Sequence, residues 1–262
     1  MQLPYAVRNL GQLLFRNVRV RIATGLNKGM KWSIVTSGRG YGSGTFGADR
    51  IEALGFVVRA GDRFWDVGAH KGFVSLAASR MVGAAGIVVA VEPAATNRWF
   101  LRHHLEWNGI ENVTVVPVAL SGERGEAHFG GRGDSLAYEL GRGDEIVAVR
   151  TVVDLVTDGG LPPPDVLKID AEGQEAAILD GGLEAIPAHA ALLVSVHGRA
   201  MQEACTQILS QRGFRLFESW EMARCSADPH EQWTSDYDLL AVGPTRDVDT
   251  DALQSLTLFK GR

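Results

Sequence analysis

The chain of 262 residues is short of cysteine, of long apolar runs and of net charge, and each shortage removes a class of function. Its two cysteines, Cys205 and Cys225, supply neither a disulfide framework nor the closely spaced pairs of a zinc knuckle, so the cytoplasm is the expected compartment. Nothing approaches the roughly twenty consecutive apolar residues of an integral membrane segment. The start, Met1 to Ile22, scatters Arg8, Arg16, Arg19 and Arg21 among apolar residues with no small-residue cleavage site, which argues against a secretory leader. It reads as a helix packed on its own domain, or as peripheral contact with a membrane surface. A net charge of -5, from 26 basic and 31 acidic residues, leaves no electrostatic footprint for nucleic acid. No internal repeat is found, and no H-E-x-x-H or comparable metal signature; no metal ligand is assigned. The closely spaced G-x-G-x-x-G turn that cradles a pyrophosphate is missing too.

In its place stands Phe64-Trp-Asp-Val-Gly-Ala-His-Lys-Gly72, followed about one strand-helix-strand unit later by Val88-Val-Ala-Val-Glu-Pro93. An apolar strand ending near Asp66, glycines at 68 and 72, and an acid at Glu92 describe a nucleotide site without phosphate. Asp66 would repel phosphate and attract the α-ammonium of a methionine moiety, while Glu92 would accept the two ribose hydroxyls. S-adenosylmethionine meets that description. The plainer alternative is a strand-to-helix turn in which Asp66 caps the helix carrying Val74, Leu76 and Ala77.

Five runs rich in Val, Ile and Leu read as buried strands: Arg63 to Val67, Ile87 to Glu92, Val113 to Val118, Asp165 to Ile169 and Ala191 to His197. They alternate with helical segments over Gly72 to Met81, Thr96 to Trp107 (stopped by Asn108-Gly109) and Met201 to Gln211, which predicts a parallel α/β sheet. Phe214 to Glu218 and Tyr237 to Val242 read as an antiparallel hairpin with a long loop. Gly122 to Arg150 reads as a strand-and-loop insertion before a helix over Thr151 to Thr157. The glycine-rich Ser37 to Gly47 run cannot be regular helix, and serves either as a lid over the cofactor edge or as a linker.

Ligands of such sheets gather at the carboxyl ends of the strands, where Asp66, Glu92, Asp170 and His197 all fall. Asp170, Glu172, Glu175 and His197 are the candidates for acid-base work. His197, closing its strand, is the expected base, with Asp170 or Glu172 orienting substrate or base. Glu175 reads as a cap for the following helix, and the same group of carboxylates and imidazole would also suit Mg²⁺ or Zn²⁺. His103-His104 reads as surface, since adjacent helical positions face apart. Trp220, Met222 and Trp233 read as core before they read as an acceptor pocket, and Arg132 and Arg142 as a solvated loop face.

Taken together, Trp65-Asp-Val-Gly-Ala-His-Lys-Gly-Phe-Val-Ser75, Val91-Glu-Pro93, Asn112-Val-Thr-Val-Val-Pro-Val-Ala-Leu-Ser121 and Leu167-Lys-Ile-Asp-Ala-Glu-Gly-Gln-Glu175 resemble the FkbM-type methyltransferases over roughly residues 44–243. The resemblance implies a Rossmann-like class I methyltransferase fold, with a seven-stranded, mostly parallel sheet and helices on both faces. It also implies a S-adenosylmethionine-dependent enzyme that methylates hydroxyl oxygens on sugars, polyketides or other natural products. Position by position it makes Asp66, Gly68, Ala69, His70 and Gly72 the cofactor turn, Glu92-Pro93 the ribose corner, and Ala119 a neighbour of adenine. The family commonly has Asn where this chain has His70. The implied layout is an extension over 1–50, a methyltransferase domain over 51–245 and a tail over 246–262. The partner expected is a small-molecule or glycan acceptor. A cofactor-binding module without catalysis, or an NAD-linked oxidoreductase, are the competing readings.

Overall fold

The structure is a computed structural model that describes residues 14–131, 139–227 and 237–260. Seven strands form the main sheet: β1 (Arg63–Val67), β2 (Ile87–Val91), β3 (Val113–Val116), β4 (Val166–Ile169), β5 (Ala191–Val196), β6 (Arg215–Glu218) and β7 (Tyr237–Val242). Their spatial order is β6-β7-β5-β4-β1-β2-β3. All neighbours run parallel except β7, which is antiparallel to both β5 and β6. This is the seven-stranded, mostly parallel sheet implied by the resemblance.

Alternation along each strand sends side chains to two cores. Trp65, Leu167, Ile169 and Leu192 pack with Ile178, Leu179 and Leu209 on one face, and Phe64, Val88, Val166 and Leu193 pack with Leu54 and Val57 on the other. Several strands stop sooner than the apolar runs suggested: β2 before Glu92, β5 before His197, and β3 at Val116. Polar side chains at these tips leave the ladder for the loops. The expected long loop between β6 and β7 contains a helix, Trp220–Ala227, whose Met222 is buried in the core while Trp220 is exposed; Trp233 lies outside the described residues.

Most of the helix expected over Met1 to Ile22 lies outside the described residues; from residue 14 on, the segment before the sheet is held in place. A short hairpin, Arg19–Arg21 with Lys31–Ser33, lies against the helix Ala95–Asn108 and delivers the fully buried Trp32 onto His104, ring centroids 3.7 Å apart. His104 is therefore core and not surface: Nε2 accepts from the Ser33 N–H at 3.0 Å, and Nδ1 lies 2.8 Å from the Lys71 carbonyl. Burial, the dominant cause, lowers its pKa to about 3. In the glycine-rich run, Tyr41 and Phe46 stack at 4.1 Å and meet Phe73 edge-on, so the run is tethered by aromatic packing.

The predicted insertion is a second sheet, made of Ala119–Leu120, Gly125–Gly130, Glu139–Leu140 and Glu145–Arg150. Arg142 is exposed and paired with Glu139 at 3.2 Å, as a solvated loop face requires, and Arg132 lies outside the described residues. The last segment folds back through two short helices, Thr250–Gln254 and Thr257–Lys260, whose Leu253 and Leu258 join the core beside Leu54. Among the described residues no helix is long and apolar enough to cross a membrane.

Candidate active site

In the strand order above, the chain leaves β1 towards β2 on one side, and β4 lies on the other side of β1. The crevice at such a reversal, above the carboxyl ends of the strands, is where open α/β sheets take ligands. Two loops frame it here: residues 68–72 after β1, and residues 170–174 after β4.

The first loop is shaped by contacts within the protein. Gly68 has φ +71°, and a Cβ on it would fall 1.9 Å from the Asp170 carbonyl oxygen. A Cβ on Gly72, φ +89°, would fall 2.3 Å from Leu101 Cδ1. Apart from any ligand, these glycines let β1 approach β4, and one helix approach another, and Gly68 lines both cavities described below. Between them His70 sits at φ +52°, a left-handed conformation that Asn, Asp and His enter more readily than other side chains. His70 is held neutral, because burial, reinforced by Lys71 and Lys168, lowers its pKa well below the usual value.

Asp66 has its partners within the protein. Its carboxylate is fully buried, accepts from Ser75 Oγ at 2.6 Å and pairs with Lys168 Nζ at 3.2 Å. It neither caps the helix, whose N-cap is Gly72, nor forms part of the cavity walls. Its partner Lys168 is the one charged side chain within β4, and its Nζ also donates to the carbonyls of Val67 at 3.1 Å and Gly68 at 2.9 Å. Burial favours loss of the Lys168 proton, but Asp66 and Asp170 outweigh it and the pKa is raised. The ammonium pins the exit of β1 to β4.

Glu92 follows β2 and is nearly inaccessible. Oε2 accepts from the His70 N–H at 2.7 Å, and Oε1 from the Ala94 N–H at 2.9 Å and Asn97 Nδ2 at 3.2 Å. Burial raises its pKa against the pull of these donors. A carboxylate offers about four acceptor sites, so Glu92 retains room for one further donor where two ribose hydroxyls were expected. It floors a cavity with Pro93 and Asn97, under an apolar slot of Val118, Ala119, Leu120 and Phe129. An apolar slot over a buried acid fits an adenosine, the slot for its base and the acid for its sugar.

The same cavity is also lined by Asp170, Ala171 and Glu172. A second cavity, behind the turn at 68–70, is lined by Tyr41, Phe46, Arg50, Ala69 and Phe73, and shares Gly68, His70 and Asp170 with the first. The glycine-rich run thus walls a cavity through Tyr41 and Phe46. Asp170 Oδ2 lies 4.0 Å from Arg50 and 3.8 Å from Lys168. Arg50 in turn donates to Asp238 at 2.7 Å, whose pKa burial raises although Arg50 opposes it.

Glu172 is in the left-handed region at φ +48°, strained for a side chain of its kind. Its Oε2 lies 3.4 Å from His197 Nε2, and His197 Nδ1 lies 3.1 Å from Glu175 Oε1. Ligand atoms of Asp170, Glu172 and His197 all fall within 4.8 Å of one another, a spacing that could accommodate a divalent cation. The structure therefore brings Asp170, Glu172 and His197 together beside the cavity lined by Glu92, Pro93 and Ala119, sets the fourth acid-base candidate, Glu175, against His197, and leaves Asp66 and Gly72 outside the lining of both cavities. Lys168, Arg50 and Asn97 are neighbours of the site that the sequence reading does not single out. A lone lysine in a buried strand was a readable signal; the Arg50–Asp238 pair, joined only by folding, left none.

The family model of the methyltransferase FkbM domain matches residues 66–216, more than half of the chain. No curated protein matches it. Among solved structures, the methyltransferase FkbM from Methylobacillus flagellatus KT is similar at 20% identity and a TM-score of 0.48, over 69% of this chain and 43% of that one, so the match spans less than half of that protein's length. Precorrin-6y C5,15-methyltransferase from Geobacter metallireducens GS-15 is similar at 16% identity and 0.49, over 75% and 87% of the two chains. Fibrillarin from Aeropyrum pernix, in complex with natively bound S-adenosyl-L-methionine, is similar at 15% identity and 0.46, over 71% and 68%.

Proposed function

Since the chain belongs to the FkbM methyltransferase family and its cofactor is S-adenosylmethionine, we propose that it methylates a hydroxyl oxygen of a small metabolite, natural product or glycan. Bound S-adenosylmethionine supplies a methyl group already activated on sulfur. The chain is left to align the acceptor oxygen, exclude water and take the acceptor's proton.

The observation that carries this reading is the group of Asp170, Glu172 and His197 beside the cavity floored by Glu92. A hydroxyl is a poor nucleophile until its proton is removed, and an imidazole is the side chain best matched to that task near neutral pH. In this reading His197 is the base, while Asp170 and Glu172 accept hydrogen bonds from the acceptor and hold it in line. Glu92 accepts from the cofactor ribose, and Val118, Ala119 and Leu120 enclose the adenine.

The test is a screen of hydroxylated metabolites and sugars with isotopically labelled donor, locating the new methyl by mass spectrometry. Methyl on oxygen supports the proposal, and methyl on carbon, nitrogen or sulfur refutes it. His197→Gln is expected to lower kcat by about 10²-fold or more while leaving S-adenosylhomocysteine affinity unchanged. Unchanged turnover would remove His197 from the role. S-adenosylhomocysteine, and not NAD, is expected to raise the melting temperature.

A further inference from the structure

We propose that Glu175 is the positioning residue that makes His197 a base, by keeping a proton on Nδ1 so that Nε2 is the nitrogen that receives one. The inference rests on the hydroxyl-methylation reading above and adds to it the residue on which the imidazole depends. Glu175 reads in the sequence as a helix cap, but its carboxylate instead ties down the loop that precedes the helix: Oε1 accepts from the Ala171 and Gly173 N–H groups at 3.1 and 3.2 Å, and Oε2 from Gly173 N–H at 3.1 Å. Those bonds fix the carboxylate, which is wholly buried, and the same Oε1 lies 3.1 Å from His197 Nδ1.

Of the two ring nitrogens, Nδ1 has the nearer carboxylate, wholly buried and fixed, while Nε2 has Glu172 farther off at 3.4 Å and partly exposed, so the single proton of the neutral ring is drawn to Nδ1. The proton belongs on Nδ1, since imidazole is the more basic partner. With Nδ1 committed, Nε2 carries the lone pair, on the side of the partly exposed Glu172 and close to Asp170. Carboxylates that hold an imidazole in one tautomer are what turn a histidine into a dependable base. In the reaction, the acceptor's hydroxyl proton passes to Nε2 as the oxygen–methyl bond forms. The carbon–sulfur bond breaks with its electron pair left on sulfur, and the resulting imidazolium lies between Glu175 and Glu172. Its charge is offset from both sides.

The experiment needs no acceptor. Long-range ¹H–¹⁵N correlation spectra of the full chain saturated with S-adenosylhomocysteine, taken at a pH where His197 is neutral and assigned against His197→Gln, read the tautomer directly. The expected result is a protonated Nδ1 and an unprotonated Nε2 in the wild type. In Glu175→Gln the Ala171 and Gly173 N–H groups keep the side-chain carbonyl at the Oε1 place, where it still accepts from Nδ1, so the tautomer is expected to be retained; in Glu175→Leu no acceptor faces Nδ1 and the preference for a proton there is expected to be lost. A wild-type imidazole protonated on Nε2 overturns the proposal, and so does an unchanged tautomer in Glu175→Leu. Selective broadening of the His197 signals by equimolar MnCl₂ would assign Nε2 to a cation and overturn it as well. The wild-type result stands even if the variant does not fold. Failure of S-adenosylhomocysteine to bind in calorimetry would count against the cofactor site and would leave the tautomer result in place, so the two failures are separable.

Discussion

Gly68 illustrates how a residue can be legible while its structural reason is not. A glycine after an apolar strand is readable as a tight turn, but the atom that requires it, the Asp170 carbonyl oxygen, belongs to the loop after a strand far along the chain. Gly68→Ala would set a methyl group against backbone that cannot withdraw without parting β1 from β4, at a φ that disfavours any side chain. The expected loss of stability is about 3 kcal/mol or more by urea unfolding. A loss under about 1 kcal/mol would mean that the two strands separate easily. Asp66 carries the same lesson. An acid at a strand tip has the same sequence appearance whether it faces a ligand or a buried lysine, and only the register of β1 against β4, which sets Asp66 beside Lys168, distinguishes the two. Glu92 and His197 were legible because each follows the last residue of a strand, where the polypeptide turns into the crevice.

At the scale of elements, the seven strands were readable from their apolar runs, since a parallel strand covered on both faces has few polar residues to interrupt it. The second sheet was less legible. Its glycines and charges obscured the alternation of Glu145–Arg150, where Val147 and Val149 are buried and Ile146 and Ala148 point away. What that sheet contributes is one side of the cavity floored by Glu92 through Phe129, with Leu140 beside it, which in the proposed function encloses the adenine. Phe129→Ala is expected to weaken S-adenosylhomocysteine binding by about tenfold in calorimetry, because the variant strips the slot of one apolar wall. Affinity unchanged in that variant would mean that the second sheet stands clear of the nucleoside.

Across the whole molecule, the segment before the sheet is held by contacts no local pattern announces: Trp32 on His104, Arg16 over Trp99 at 4.5 Å and Arg19 over Trp107 at 4.7 Å. The buried His104 makes this attachment sensitive to acid. Its pKa is about 3 in the folded chain against 6.5 ordinarily, so the unfolded chain binds the extra proton over the interval between them. Stability is expected to be fully present above about pH 6.5 and to fall as the pH drops below it, with about 2 kcal/mol lost to His104 by pH 5. Urea midpoints at pH 7.5 and 5.0 check this, because His104→Gln should flatten the difference by that amount; an equally steep fall in the variant would assign the acid sensitivity to other groups. Lys168 has a consequence at the same scale. One ammonium fastens the Val67 and Gly68 carbonyls and borders Asp170, and Gly68 and Asp170 line both cavities. With such a rivet between them the two chambers cannot widen independently, and filling the first is expected to leave its imprint on the shape offered to whatever enters the second.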